Sequence, residues 1–117
     1  MKLIQMILSI CGAYDRNFSK SWSSDTAKSF TNHELTLQKD DTIYMFSDGY
    51  VDQYGGEQGK KFMAARFKQL LLDIQDRIMF DQKDILEHTL SEWMGLTGKY
   101  EKQYEQIDDI LVMGIRI

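Results

Sequence analysis

Polar and apolar residues alternate along Glu34-Leu35-Thr36-Leu37-Gln38, which predicts a half-buried strand. Lys39-Asp40-Asp41 predicts a tight turn. The next run, Thr42-Ile43-Tyr44-Met45-Phe46-Ser47, is apolar at nearly every position and rich in β-branched and aromatic residues, so it predicts a strand covered on both faces. Together the two runs predict a hairpin with one edge-like and one central strand. Met63, Phe67, Leu70, Leu71, Ile74 and Ile78 then recur at helical spacing and predict a helix with one apolar stripe. A second stripe, Ile85, Leu86, Leu90, Trp93 and Met94, predicts another helix. Asp81 is its expected N-cap, Asp81 and Asp84 suit the positive end of its dipole, and Gly95 and Gly98 are expected stops. Residues 97–106 read as a polar connector. The chain closes on Ile110–Ile117, a strand pattern whose Leu111, Met113, Ile115 and Ile117 face is wholly apolar.

The first third is less regular. A short apolar run from Leu3 to Ile10 ends at Cys11 and is too short to cross a membrane. It loosely mimics a secretory or lipoprotein leader, but Gln5 interrupts it and bulky Ile10 stands where a small residue is needed before the cysteine. A strand or short helix is the expected state, with Cys11 as a small buried apolar group. Residues 14–33 are polar, serine-rich and aperiodic, and predict a long loop partly anchored by Phe18, Trp22 and Phe30.

Composition narrows the possible chemistry. The 117 residues suffice for one modest domain, and 43% hydrophobic with 27% charged residues is ordinary for a globular chain. The net charge of −4 is spread over interspersed acids and bases, which argues against a nucleic-acid surface and is compatible with cations or basic partners. A single cysteine excludes an internal disulfide framework and a cysteine-rich zinc site. A cytoplasmic protein without a membrane segment is expected.

The chemistry-bearing residues stand at the ends of two strands. Asp48-Gly49 ends the run 42–47, Asp52 follows, and Asp108-Asp109 immediately precedes the last strand. If those two strands are antiparallel neighbours, Asp48 and Asp108 reach the same sheet edge. Carboxylates gathered there repel one another unless a cation lies between them, and oxygen-only ligands suit magnesium or manganese. Either motif alone is better explained as a plain turn. Gly55–Lys61 lacks the spacing of a nucleotide loop and no Ser or Thr follows its lysines, so a flexible loop leading into a helix is expected. His33 and His88 have no ligand spacing and are expected at the surface. Met63, Met79, Met94 and Met113 are expected to fill core space, and Tyr100 and Tyr104 to lie on a solvated helical turn.

Ser47-Asp48-Gly49-Tyr50-Val51-Asp52, the glycine-rich loop before Phe62, two helices and a terminal Asp108-Asp109-Ile110-Leu111-Val112 resemble the C-terminal half of the metal-dependent serine/threonine phosphatases. The pattern is most similar to the bacterial stage II sporulation protein E type, over roughly residues 30–117. The resemblance implies an α+β fold, the C-terminal part of an α-β-β-α sandwich. It implies a site where aspartates hold two Mg2+ or Mn2+ ions and a water between them attacks a phosphoserine or phosphothreonine. By position, Asp48 and Asp108 match metal ligands, with Asp109 the alternative to Asp108. Asp52 matches an accessory acidic position, and Gly49 is expected to turn the backbone sharply away from the site. No side chain is expected to act as the nucleophile.

The family's first half carries a further aspartate–glycine motif, and residues 1–33 contain none: Asp15 and Asp25 have no adjacent glycine. Residues 1–33 are therefore expected to be the remnant of a missing half, and residues 34–117 the C-terminal portion of the domain. The chain alone is expected to bind metal weakly and to have little or no activity. The phosphatase reading implies a phosphorylated regulatory protein as substrate, in a signalling pathway. The alternative is a non-catalytic binding module that self-associates through exposed apolar faces.

Overall fold

The computed structural model describes residue 34 and residues 36–117, together with three short strands: β1 (Leu3–Ile4), β2 (Leu8–Ser9) and β3 (Gly12–Ala13). The expected loop 14–33, Cys11 and His33 lie outside the described residues. Helices and small sheets make the chain α+β, as expected. It divides into two compact units, Met1–Phe46 with Val112–Ile117, and Ser47–Leu111.

In the first unit, β4 (Thr42–Phe46) is the middle strand of a three-stranded sheet. One edge pairs in parallel with β1, in the register Leu3↔Thr42. The other pairs antiparallel with β7 (Val112–Arg116), from Thr42↔Arg116 to Phe46↔Val112. Thr42 and Ile43 of β4 thus have a strand on each edge, so the expected hairpin partner at 34–38 finds no free edge there. The described residues of that segment, 34 and 36–38, lie outside any strand. The expected turn does form. The Gln38 N–H donates to the Asp41 carboxylate (2.8 Å), the Asp41 N–H donates to the Gln38 carbonyl (3.1 Å), and Asp40 takes a left-handed φ of 73°. Thr42, Tyr44 and Phe46 are buried while Ile43 and Met45 are half-buried, so the two faces of β4 are covered unequally. On β7, Met113 and Ile115 are 45% and 41% exposed, and Ile117 beyond it is 49% exposed. Strands β2 and β3 form a separate antiparallel pair.

The second unit holds a short helix α1 (Gly49–Asp52), β5 (Tyr54–Gly55), β6 (Lys60–Lys61), α2 (Ala64–Ile74) and α3 (Met79–Trp93). The Gly55–Lys61 segment is not an open loop. β5 and β6 pair antiparallel as Tyr54↔Lys61 and Gly55↔Lys60, and the Gly56 N–H donates to the Trp93 carbonyl (2.8 Å). The core is built around Tyr50, Phe62 and Phe67, joined by Leu71, Ile74 and Met94. Tyr50 packs edge-on to Phe62 at 5.2 Å and tilted on Phe67 at 4.6 Å, and Phe62 meets Trp93 edge-on at 5.3 Å. Such ring pairs contribute about 0.5–1.5 kcal/mol each beyond the apolar area they bury. The polar tips are satisfied as well. The Tyr50 hydroxyl donates to the Leu86 carbonyl (2.7 Å), and the Trp93 indole N–H donates to the Gln53 carbonyl (2.9 Å). Buried Gln53 donates through Nε2 to the Glu105 carbonyl (2.8 Å), which ties α1 to the connector preceding the last strand.

The helices are bounded more tightly than their stripes predict. α2 buries Phe67, Leu71 and Ile74, but Met63 and Ile78 lie outside it at 60% and 62% exposure. Just past the end of α2, buried Gln82 of α3 donates to the Arg77 carbonyl (2.8 Å) and satisfies a backbone acceptor there. α3 starts at Met79 with Ile78 as N-cap, so Asp81 is not the cap. It lies in the first turn, where its charge still suits the dipole. At the other end, the Gly95 N–H donates to Glu92 O and the Leu96 N–H to Ser91 O, with Gly95 at φ +80°, a Schellman stop at the expected glycine. Of the four methionines expected in the core, only Met94 is fully buried. Tyr100 and Tyr104 are not helical; the Tyr104 N–H donates to the Met94 carbonyl (2.9 Å).

Met63 has φ 76° and ψ 151°, a conformation that essentially only glycine adopts without strain. Its N–H donates to the Val51 carbonyl (2.8 Å), which fixes it between α1 and α2. Its side chain is mostly exposed, so little burial is at stake. Met63→Gly is therefore expected to stabilise the chain by about 1 kcal/mol, seen as a higher urea midpoint, although glycine ordinarily costs stability. Among the described residues, no helix is long and apolar enough to cross a membrane.

Candidate functional site

The strand-end residues of the second unit are tied together by Ser47. Its N–H donates to the Leu111 carbonyl (3.0 Å), its hydroxyl donates to the Asp109 carbonyl (2.8 Å), and the Leu111 N–H donates back to the hydroxyl oxygen (3.0 Å). A single buried serine thus fixes the segment 109–111 beside residue 47. The signal for Ser47 in the sequence is a hydroxyl directly before Asp-Gly.

Gly49 permits the next contact. Its φ is not in the left-handed region, and it opens α1 rather than making a sharp turn. Its role is close approach. A Cβ here would collide with the Asp109 carbonyl oxygen, and would lie 2.9 Å from that carbonyl carbon and 3.0 Å from Ile110 Cγ1. The expectation of a backbone turn at Gly49 is corrected accordingly: the missing side chain lets segment 108–110 lie against the start of α1.

Asp48 occupies the N-cap position of α1 but makes no side-chain capping bond, so its carboxylate is left for other partners. Partial burial raises its pKa, and the neighbouring charges of Asp108 and then Asp52, with the close approach of the Asp108 side chain, raise it further. Asp108 is therefore the acid brought beside Asp48. Its Oδ1 accepts the Asp109 N–H (2.8 Å), and its carbonyl accepts from Gln106 Nε2 (2.9 Å). Asp109 contributes its backbone carbonyl to Ser47 instead. Asp52 lies 3.6 Å from the Lys61 ammonium, a partner no sequence pattern suggested. His88 is exposed on α3 and pairs with Glu92 (3.3 Å), away from these acids in the chain.

The sign of the Asp48 shift gives a pH prediction. A carboxyl with a raised folded pKa binds its proton more tightly folded than unfolded. Its contribution is neutral below the ordinary carboxylate value, about 4. Stability is lost as pH rises from there through the raised value, and the cost is constant above it. In metal-free buffer, Asp48→Asn is expected to raise the unfolding midpoint at pH 7 and to flatten the decline across that window. Thermal melts from pH 3.5 to 7 check both effects.

These acids suit a hard cation in donor type: two adjacent carboxylates, one free of capping duty, repelling each other. They supply only part of a coordination shell. Among the described residues, no three His, Cys, Asp or Glu side chains gather closely enough to hold a metal ion. Elsewhere in this unit, a groove of about 450 Å³ runs between α2 and α3. There the Arg66 guanidinium lies 4.4 Å over the Trp93 ring and 5.5 Å from Phe62.

No family model matches the sequence, and no curated protein is similar to it at a significant level. Among solved structures, the chain is similar to the SiaA-PP2C domain of Pseudomonas aeruginosa, with 34% identity and a TM-score of 0.56 over 65% of this chain. The match spans 28% of the length of that domain's chain. The likeness supports a partial PP2C-like fold and the wider superfamily of metal-dependent phosphatases, without singling out the stage II sporulation protein E branch.

Proposed function

We propose that this chain is the C-terminal portion of a metal-dependent protein serine/threonine phosphatase domain of the stage II sporulation protein E type, acting as a signalling output. Residues 34–117 would form that portion, with residues 1–33 a remnant of the part of such a domain that comes before it. The observation that carries the reading is the juxtaposition of Asp48 and Asp108, on a chain similar to a PP2C domain. Asp48 and Asp108 would hold Mg2+ or Mn2+, with Asp109 the alternative to Asp108 and Asp52 accessory. When bound, the cation lowers the pKa of a water and neutralises charge on the phosphoryl oxygens. The chain's own residues do the positioning: Ser47 fixes segment 109–111, Gly49 lets it approach, and the Asp109 N–H orients the Asp108 carboxylate. The substrate would be a phosphorylated regulatory protein in the cytoplasm.

With two carboxylates and no third ligand among the described residues, the chain alone binds the cation weakly and turns over slowly or not at all. A single-turnover assay with Mn2+ and a phosphopeptide tests this. Trace hydrolysis that disappears in Asp48→Asn is the expected result. Robust turnover would overturn the incompleteness, and hydrolysis indifferent to Asp48→Asn would overturn the site.

One observation favours a second role, self-association. Met113, Ile115 and Ile117 expose an apolar row on and just beyond β7, a surface suited to a second copy. Light scattering at high concentration is expected to find dimers or larger species, and a clean monomer would remove this reading.

A further inference from the structure

We infer that the groove between α2 and α3 is a docking site for a short acidic segment of a partner protein, one that sets an apolar side chain beside a carboxylate. The inference does not rest on the phosphatase reading. Helical spacing builds both walls. Arg66, Gln69 and Asp73 line the groove from one face of α2, and Glu92 and Trp93 line it from α3. Inside, Phe62 is buried and Trp93 and Tyr100 are half-buried, which makes an aromatic lining. The rim is polar, because Arg66, Gln69, Asp73 and Lys99 are exposed. An apolar centre within a polar rim is the anatomy of a protein interface, and Trp, Tyr and Arg are the residue types in which binding energy concentrates there. Charge complementarity decides the occupant. Asp73 accepts from Gln69 Nε2 (2.8 Å), and Glu92 lies 3.3 Å from His88 Nε2 and 3.8 Å from the Lys99 ammonium. Arg66 has no carboxylate partner among the described residues. Its guanidinium meets rings instead, 4.4 Å over Trp93 and 5.5 Å over Phe62. Those contacts steady the guanidinium without using its N–H donors in hydrogen bonds, so its planar fork is left for a carboxylate. The net charge of −4 repels polyanions such as nucleic acid, and one free guanidinium suits one carboxylate rather than a run of phosphates. The groove volume of about 450 Å³ is that of a small-ligand site, so the segment that enters is short.

Peptide titration of the 15N-labelled full chain tests this. The probe is a capped hexapeptide with one phenylalanine between two glutamates and glycine elsewhere. Its control carries glutamines in place of the glutamates. The glutamate peptide is expected to give saturable shifts at the Trp93 indole N–H and the Arg66 side-chain N–H, with a Kd of about 0.1–1 mM. The control is expected to bind about tenfold more weakly. Arg66→Gln is expected to weaken the glutamate peptide by about the same factor and to leave the control unchanged, while Arg66→Lys keeps part of the preference. The two peptides are compared on the native chain, so the outcome does not depend on how well either variant folds. Equal affinity for the two peptides overturns the charge complementarity on which the inference stands. Phenylacetate bound at the same residues as tightly as the peptide makes this a site for small carboxylates and overturns the protein partner. Shifts centred on β7, or no saturable shift up to about 10 mM peptide, overturn the groove as a docking site.

Discussion

Gly49→Ala unfolds the chain more readily and separates the paired acids. The added methyl has no flexible side chain to push aside, because its first contact is the backbone carbonyl of Asp109. That carbonyl is held in place by the Ser47 hydroxyl at 2.8 Å. Relief therefore requires moving α1 away from segment 108–110, or breaking the Ser47 bonds. Forcing a methyl into a closed backbone contact costs about 1–3 kcal/mol, and more where the backbone cannot yield. Small domains are stable by only about 5–15 kcal/mol. The variant is thus expected to lose a substantial share of its stability, seen as a much lower urea midpoint with an unchanged slope. Alanine has the better helix propensity, so a variant as stable as the native chain would mean that the Asp109 approach is looser than described.

Asp108→Asn and Asp109→Asn are expected to behave differently, although the residues are adjacent. Asp108 is the acid whose charge and side chain bear on Asp48; Asp109 faces Ser47 through its carbonyl. Asp108→Asn should weaken Mn2+ binding about 10- to 100-fold, a range that even residues merely supporting a ligand can reach. Asp109→Asn should leave it within about twofold of the native value. Without metal the order reverses: Asp108→Asn relieves repulsion on Asp48 and raises the melting temperature, while Asp109→Asn does not. Titration calorimetry with Mn2+ and thermal melts in chelator measure the two effects. Equal responses of the two variants would reject the assignment of Asp108.

The candidate acids could be picked out in the sequence because they lie close to strand ends. Antiparallel pairing then decides which strand ends meet, and β4 does pair antiparallel with β7, as the inference about Asp48 and Asp108 required. The segment 34–38 misled because alternation reports one covered face and says nothing about which strand edge is free. The partner position was taken by β1, a two-residue strand with no pattern to announce it. The helix stripes ran too long because Met63 and Ile78 fit the period yet stand where the backbone has already left the helix. The buried glutamine just past the end of α2 is invisible to hydropathy, since Gln82 acts through a hydrogen bond to the Arg77 carbonyl. Lys61 escaped notice for the same reason: its partner Asp52 is reached through a hairpin rather than along a helix face. Gly49 was expected to give a turn, whereas what the structure shows is empty space for the Asp109 carbonyl; a sequence cannot show whether a glycine supplies a dihedral angle or room.

The most direct test of the central claim is to locate a bound cation by paramagnetic broadening. Substoichiometric Mn2+ is added to the 15N-labelled chain and amide peak intensities are followed. The account predicts that the amides of Asp48, Gly49, Asp108 and Asp109 lose intensity first, and that Asp48→Asn abolishes this selective loss. Broadening centred on the exposed acids of α3, such as Asp81 and Asp84, or no selective broadening at all, would contradict it.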